Sequence, residues 1–267
     1  MKKNRKHSLI NWFSSFVEAW EMLLDIPLPS NISKAADEDN PDPVKVLCCF
    51  TLTGIVAGVA FYLTAWLLSI LSGRAAAAVM SGFLITVAYE IATKGRMISS
   101  VASFTENLFS FENKSDAILK LDDNFRKSRN IFGTIGMVSL FTARMFSIGF
   151  IVFSGNISWL IISMAAGFTV QAHLAILPEL ETEEPFIEVS GKSAYIPWIF
   201  FAAACVIFGV TNLPAAVTTG LLVFLSACLT SKYVFDKLGG VNGPMIGILG
   251  YFTESIVLLL GLIFLFR

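Results

Sequence analysis

Hydrophobic and polar positions follow two patterns along this chain. Over residues 9–25, Leu9, Phe13, Phe16, Val17, Trp20 and Leu24 recur at helical spacing, and Asn11, Ser14, Glu18, Glu21 and Asp25 fall on the opposite side. This predicts an amphipathic helix lying in a membrane interface, entered through the basic run Lys2, Lys3, Arg5 and Lys6. Its three acids interrupt the apolar core that a signal peptide needs. Ile26-Pro27-Leu28-Pro29 ends the helix, because two prolines withdraw backbone donors, and an acidic linker from Ala36 to Asp42 follows.

Beyond residue 43 the pattern changes to long apolar runs. Seven are predicted as spans, at 44–71, 74–93, 131–153, 157–177, 194–211, 213–230 and 244–266. The runs at 194–211 and 213–230 are short and suit either two thin crossings or a hairpin. With the amino terminus inside, sixteen of the nineteen Lys and Arg fall on inner segments, Arg74 and Arg267 fall outside, and Arg144 lies within a span. The expected fold class is an all-α polytopic membrane protein, with about seven transmembrane helices plus the amino-terminal interfacial helix. Residues 1–43 form the helix and linker, and 44–267 form a single polytopic membrane domain. The charge bias predicts a multi-pass arrangement with the amino terminus cytoplasmic.

Composition agrees. With 55% hydrophobic and 15% charged residues and a mean hydropathy of +0.71, the chain's partner is a lipid bilayer. A net charge of −1 leaves no basic footprint for nucleic acid. Cys48, Cys49, Cys205 and Cys228 sit in apolar runs without metal-ligand spacing and read as small core residues. His7 and His173 stand alone. Neither a nucleophile-elbow G-x-S-x-G nor a phosphate-binding G-x-x-x-x-G-K occurs. The single acidic pair, Asp122-Asp123, lacks the second pair that a prenyltransferase needs.

The last span opens K-L-G-G-V-N-G-P-M-I-G, and Gly239, Gly243 and Gly247 recur every four residues. On a helix they form a ridge without side chains, which suits either helix packing or close approach of a ligand. Glu254 lies inside this span, where a carboxylate costs about 2.5–3.5 kcal/mol and so faces protein or a cavity. Counting about 1.5 Å per residue from the inner ends puts Arg144 roughly 20 Å deep and Glu254 roughly 15 Å, close enough to pair. The alternative is that Arg144 snorkels outward alone.

The block G-G-V-N-G, with Gly247 and Glu254 after it, resembles the last transmembrane signature of the cobalamin synthases, the adenosylcobinamide-GDP ribazoletransferases. Pro244 stands where that signature has Asp. Met97 to Asn107, M-I-S-S-V-A-S-F-T-E-N, resembles the family's Asp-rich H-L-D-G-L-A-D-T-x-D-G, with Ser99, Ser103 and Glu106 at the Asp positions. Gly133, Thr134 and Gly136 resemble the glycine-threonine frame of a third block, and A-A-G-F-T-V-Q-A-H around Gly167 resembles a fourth. Ser99, Ser103 and Glu106 share one helical face, which also describes the solvated side of an interfacial helix.

The resemblance implies transfer of an adenosylcobinamide phosphoryl group from its GDP ester to α-ribazole or its phosphate, releasing GMP, with Mg²⁺ as cofactor. Carried over residue by residue, it implies Glu106 and Glu254 as catalytic, Glu106 as metal ligand, and Ser99, Ser103, Gly239, Gly240, Asn242 and Gly243 as substrate-binding. Hydroxyls do not replace two carboxylates as hard ligands, so the expectation is a weakly active or inactive member that still binds a corrinoid or nucleotide, alone, as a homo-oligomer or beside an active paralogue. Glu90, Asp122, Asp123 and Asp236 are the acids able to rescue such a site. From a different class, a non-catalytic membrane subunit or a small-molecule transporter also fits seven spans with buried charge.

Overall fold

The computed structural model describes residues 2–24, 26–29, 31, 42–109, 131–179, 187 and 191–265. Nine α-helices are described: α1 Lys2–Leu23, α2 Pro43–Ser72, α3 Arg74–Ala92, α4 Arg96–Phe109, α5 Ile131–Ser154, α6 Trp159–Leu174, α7 Ile196–Phe208, α8 Leu213–Leu238 and α9 Gly243–Leu265. Among the described residues, five helices are long and apolar enough to cross a bilayer, and Trp159–Leu174 and Ser193–Phe208 are shorter apolar helices. The protein is an all-α polytopic membrane protein. Apolar helices stand at all seven predicted places.

The bundle is built around α6. Every residue of this helix except His173 is buried, as expected of a helix that is apolar all round. Glycines of α2 let it approach α6 backbone to backbone. A Cβ at Gly58 would collide with Ile161 Cα, and one at Gly54 with Met164 O. Thr51 and Thr169 join hydroxyls across the same seam at 2.9 Å. On its other side α6 packs against α9, where Gly261 receives the Trp159 ring. The α3–α5 pair closes with Gly82 against Met145 O and Gly149 against Ala78 O.

Two expectations need correction. The run at 213–230 is not short: α8 continues to Leu238, because a helix that leaves the apolar layer goes on through Lys232 and Asp236, where a hydropathy window stops. In α1, Ser14 is buried beside Ser15 instead of lying on the wet side. The helix docks on α2 through a stripe of small residues, Ser15 and Ala19, with Leu23 completing it, and leaves Phe13 exposed. Lys45 Nζ donates to Asn11 Oδ1 at 2.8 Å, fixing that docking.

The end of the bundle where α1 and α4 lie is called the near end below. There α2, α5, α7 and α9 begin, and α3, α6 and α8 finish. Val241 N donates to Pro178 O at 2.8 Å and Glu179 bridges Val241, so the turn before α9 and the segment after α6 are tied together at this end.

Candidate functional site at the near end

The turn that starts α9 is built by the residues the sequence singles out. Gly239, at φ 82°, takes the left-handed conformation that caps α8 and donates to Phe235 O. Gly240 presses on Pro178 O, leaving no room for a side chain. Asn242 is the cap of α9, accepting from Met245 N at 3.0 Å. Gly243 is exposed, and a Cβ there would meet nothing.

Gly243, Pro244, Ile246 and Gly247 form one wall of a cleft of about 350 Å³. Leu23, Phe50, Met97 and Ala175 add apolar lining. Polar groups are few: Arg96, Ser100 and Gln171. Arg96 is held at the lip by the end of α1, donating through Nη2 to Met22 O at 3.4 Å and Leu23 O at 3.5 Å, a favourable place for a cation. Ser100 Oγ is turned back onto Arg96 O at 2.7 Å. Gln171 Nε2 is buried and has no hydrogen-bond partner among the described residues.

The expected site residues separate into groups. Gly243 lines the cleft, and Gly239, Gly240 and Asn242 shape the turn that delivers it. Ser99 lies beside the cleft, its hydroxyl donating to Gly95 O at 2.8 Å, while Ser100 does the lining. Ser103 and Glu106 belong to α4, but their side chains lie outside the described residues, as do Asp122 and Asp123 altogether. Asp236 is exposed on α8.

Glu254 is not part of the cleft wall. It is 0% exposed, and its Oε2 accepts from Arg144 Nη1 at 2.6 Å while Oε1 accepts from the Tyr89 hydroxyl at 2.8 Å. The Arg144 guanidinium lies between two rings, 4.1 Å from the Tyr89 centroid and 4.8 Å from that of Tyr251, and Nη2 reaches Met164 Sδ at 3.4 Å. Arg144 therefore does not snorkel. Gly167 is where α6 makes room, because a Cβ there would overlap the Glu254 side chain. Sequence reasoning missed Tyr89 and Tyr251, whose aromatic character in apolar spans looks like ordinary core, and Arg96 and Gln171, which carry no motif.

Mg²⁺ asks for hard oxygen donors, preferably carboxylates. The cleft wall offers an arginine, a hydroxyl and an amide, and no group of three His, Cys, Asp or Glu comes together among the described residues. That donor set does not fit the ion.

A family model described as cobalamin-5-phosphate synthase matches residues 15–263. The chain is 24% identical over 247 residues to an adenosylcobinamide-GDP ribazoletransferase of Clostridioides difficile (strain 630), covering 87% of this chain and 90% of that protein. It is also 24% identical over 241 residues to a protein of that name from Caldanaerobacter subterraneus subsp. tengcongensis, covering 88% and 92%. No solved structure matches it.

Proposed function

This chain belongs to the cobalamin-5-phosphate synthase family, and from that premise we propose that it is an inner-membrane protein whose near-end cleft opens to the cytosol and binds a corrinoid or nucleotide ligand with little or no turnover. The observation that carries this reading is the cleft wall itself: apolar sides, Arg96 on the lip and, among the described residues, no carboxylate.

The relatives are named for transfer between adenosylcobinamide-GDP and a ribazole. In such a reaction charge builds on phosphate oxygens and a hydroxyl must lose its proton, so the protein's task is to position both and to stabilise that charge. Arg96 supplies one fixed positive charge at the mouth, suited to a phosphate oxygen. Leu23, Phe50, Met97 and Ile246 exclude water from whatever enters. Pro244, where the family signature has Asp, has no amide donor and begins a helix well, yet offers a phosphate nothing. Among the described residues no cleft group accepts a proton from an attacking hydroxyl. Holding a ligand is supported and turning it over is not.

Equilibrium binding of adenosylcobinamide-GDP to the purified, lipid-embedded protein tests this. Saturable binding that survives a chelator and weakens about tenfold or more in Arg96→Leu supports the reading, since a charge-assisted contact is worth about 1.5–3 kcal/mol. Binding that disappears with the chelator counts against it.

A further inference from the structure

Gln171, in the last turn of α6, is a cleft residue whose polar end is unused. It lines the cleft yet is only 2% exposed, and its Nε2, with two protons to donate, has no hydrogen-bond partner among the described residues. A buried donor left unpaired is destabilising. The facing helix is nevertheless shaped to keep it: Gly250 of α9 gives the amide its space, because a Cβ there would overlap Nε2. Gly250 lies one helical turn below Ile246 of the cleft wall, which puts the amide at the floor of the cleft.

A buried polar group without a partner marks a missing ligand atom or water. The other two polar groups of the cleft are engaged, Ser100 Oγ on Arg96 O and Arg96 on the carbonyls that end α1. Leu23, Phe50, Met97 and Ile246 supply apolar lining. From floor to lip, the cleft therefore offers one neutral donor, an apolar lining and one cation. The last torsion of a glutamine is soft, so the amide can turn its donor towards an entering ligand.

This order of groups selects a ligand class. A volume of about 350 Å³ is at the small end of the roughly 300–1,000 Å³ of small-molecule sites, room for one bicyclic ring and not for a corrin macrocycle. Guanine carries amide and amino donors of its own, which apolar lining would leave unpaired. A benzimidazole is flat and apolar except for one bare ring nitrogen, an acceptor for a single donor. A ribazole phosphate joins that base to an anion that suits Arg96.

We propose that Gln171 is the specificity-determining residue of the near-end cleft, its amide donating to the bare ring nitrogen of a benzimidazole nucleotide whose phosphate lies at Arg96. The assignment rests on the reading that this cleft holds a ligand, and adds which part of the ligand enters and what recognises it.

The test is equilibrium binding, to the lipid-embedded full chain, of α-ribazole 5′-phosphate and of its indole analogue, in which C–H replaces the bare ring nitrogen. The wild type should hold the benzimidazole about tenfold more tightly than the indole. Gln171→Met, which keeps the length of the side chain and loses the amide, should hold both alike, near the wild-type affinity for the indole. Its thermal unfolding midpoint without ligand should equal or exceed that of the wild type, because an unpaired buried donor has been removed. A purely structural glutamine would do the reverse, with a lower midpoint and the tenfold preference kept. Equal affinities in the wild type, or a preference that survives in Gln171→Met, would overturn the assignment whatever the stability of the variant. A protein that binds adenosylcobinamide-GDP but neither ribazole probe, or both alike, overturns this assignment alone. One that binds none of the three overturns the functional reading as well.

Discussion

Arg144 on α5 and Glu254 on α9, 110 residues apart in sequence, meet at 2.6 Å with side chains 1% and 0% exposed. Isolated, each would be costly in the apolar layer. Together, with Tyr89 donating to the carboxylate and two rings flanking the guanidinium, they pin α3, α5 and α9 to the Gly167 notch of α6.

This arrangement predicts strong coupling. Arg144→Leu or Glu254→Leu alone should cost about 3–5 kcal/mol, because each leaves the other charge buried and unmatched, and the double variant should lose less than the sum. A double-mutant cycle of thermal or denaturant stability measures it. Additive losses would mean that the pair is not coupled.

The glycines divide into two classes by what a methyl group would meet. Gly167→Ala, which drives a Cβ into Glu254, should destabilise by about 1–3 kcal/mol. Gly243→Ala meets open space and should stay within about 0.5 kcal/mol of wild type. If Gly243→Ala nevertheless weakens ligand binding, its role is in the cleft and not in folding.

The near end is predicted to face the cytosol. Ser99→Cys and Gly243→Cys, in a Cys228→Ser background, should react with a membrane-impermeant maleimide only after cells are opened. Ser154→Cys at the far end should react in intact cells. The other cysteines, Cys48, Cys49 and Cys205, are buried and silent. Labelling of position 99 or 243 in intact cells would invert the topology.

Much of this was legible in the sequence, and for identifiable reasons. Hydropathy located the seven apolar helices because transfer to lipid is a local property of each segment. Depth counting found Arg144 and Glu254 because charges in spans are rare and helical rise is regular. Gly239, Gly243 and Gly247 read as one helical ridge, whereas Gly239 ends α8 in a left-handed turn and only Gly243 and Gly247 lie on α9. What stayed hidden depends on three dimensions. That α6 is the centre follows from Gly54, Gly58 and Gly167 meeting particular partners, which periodicity does not encode. Ser14 and Ser15 looked polar but serve as small packing residues. Tyr89 and Tyr251 meet only in the fold, where their ring centroids lie 5.9 Å apart.

The central claim is that the cleft has kept its ligand and lost its chemistry. Metal assistance is worth several kcal/mol, so losing about 4 kcal/mol lowers the rate roughly a thousandfold. The most direct measurement is GMP release from adenosylcobinamide-GDP and α-ribazole by the purified, lipid-embedded protein in Mg²⁺, at ligand concentrations shown to saturate binding. The account predicts full occupancy with release about a thousandfold or more below that of an ordinary family member measured alongside. Release at the ordinary member's rate would contradict it, and would direct attention to Glu106 or Glu90 as the acid that has taken over the site.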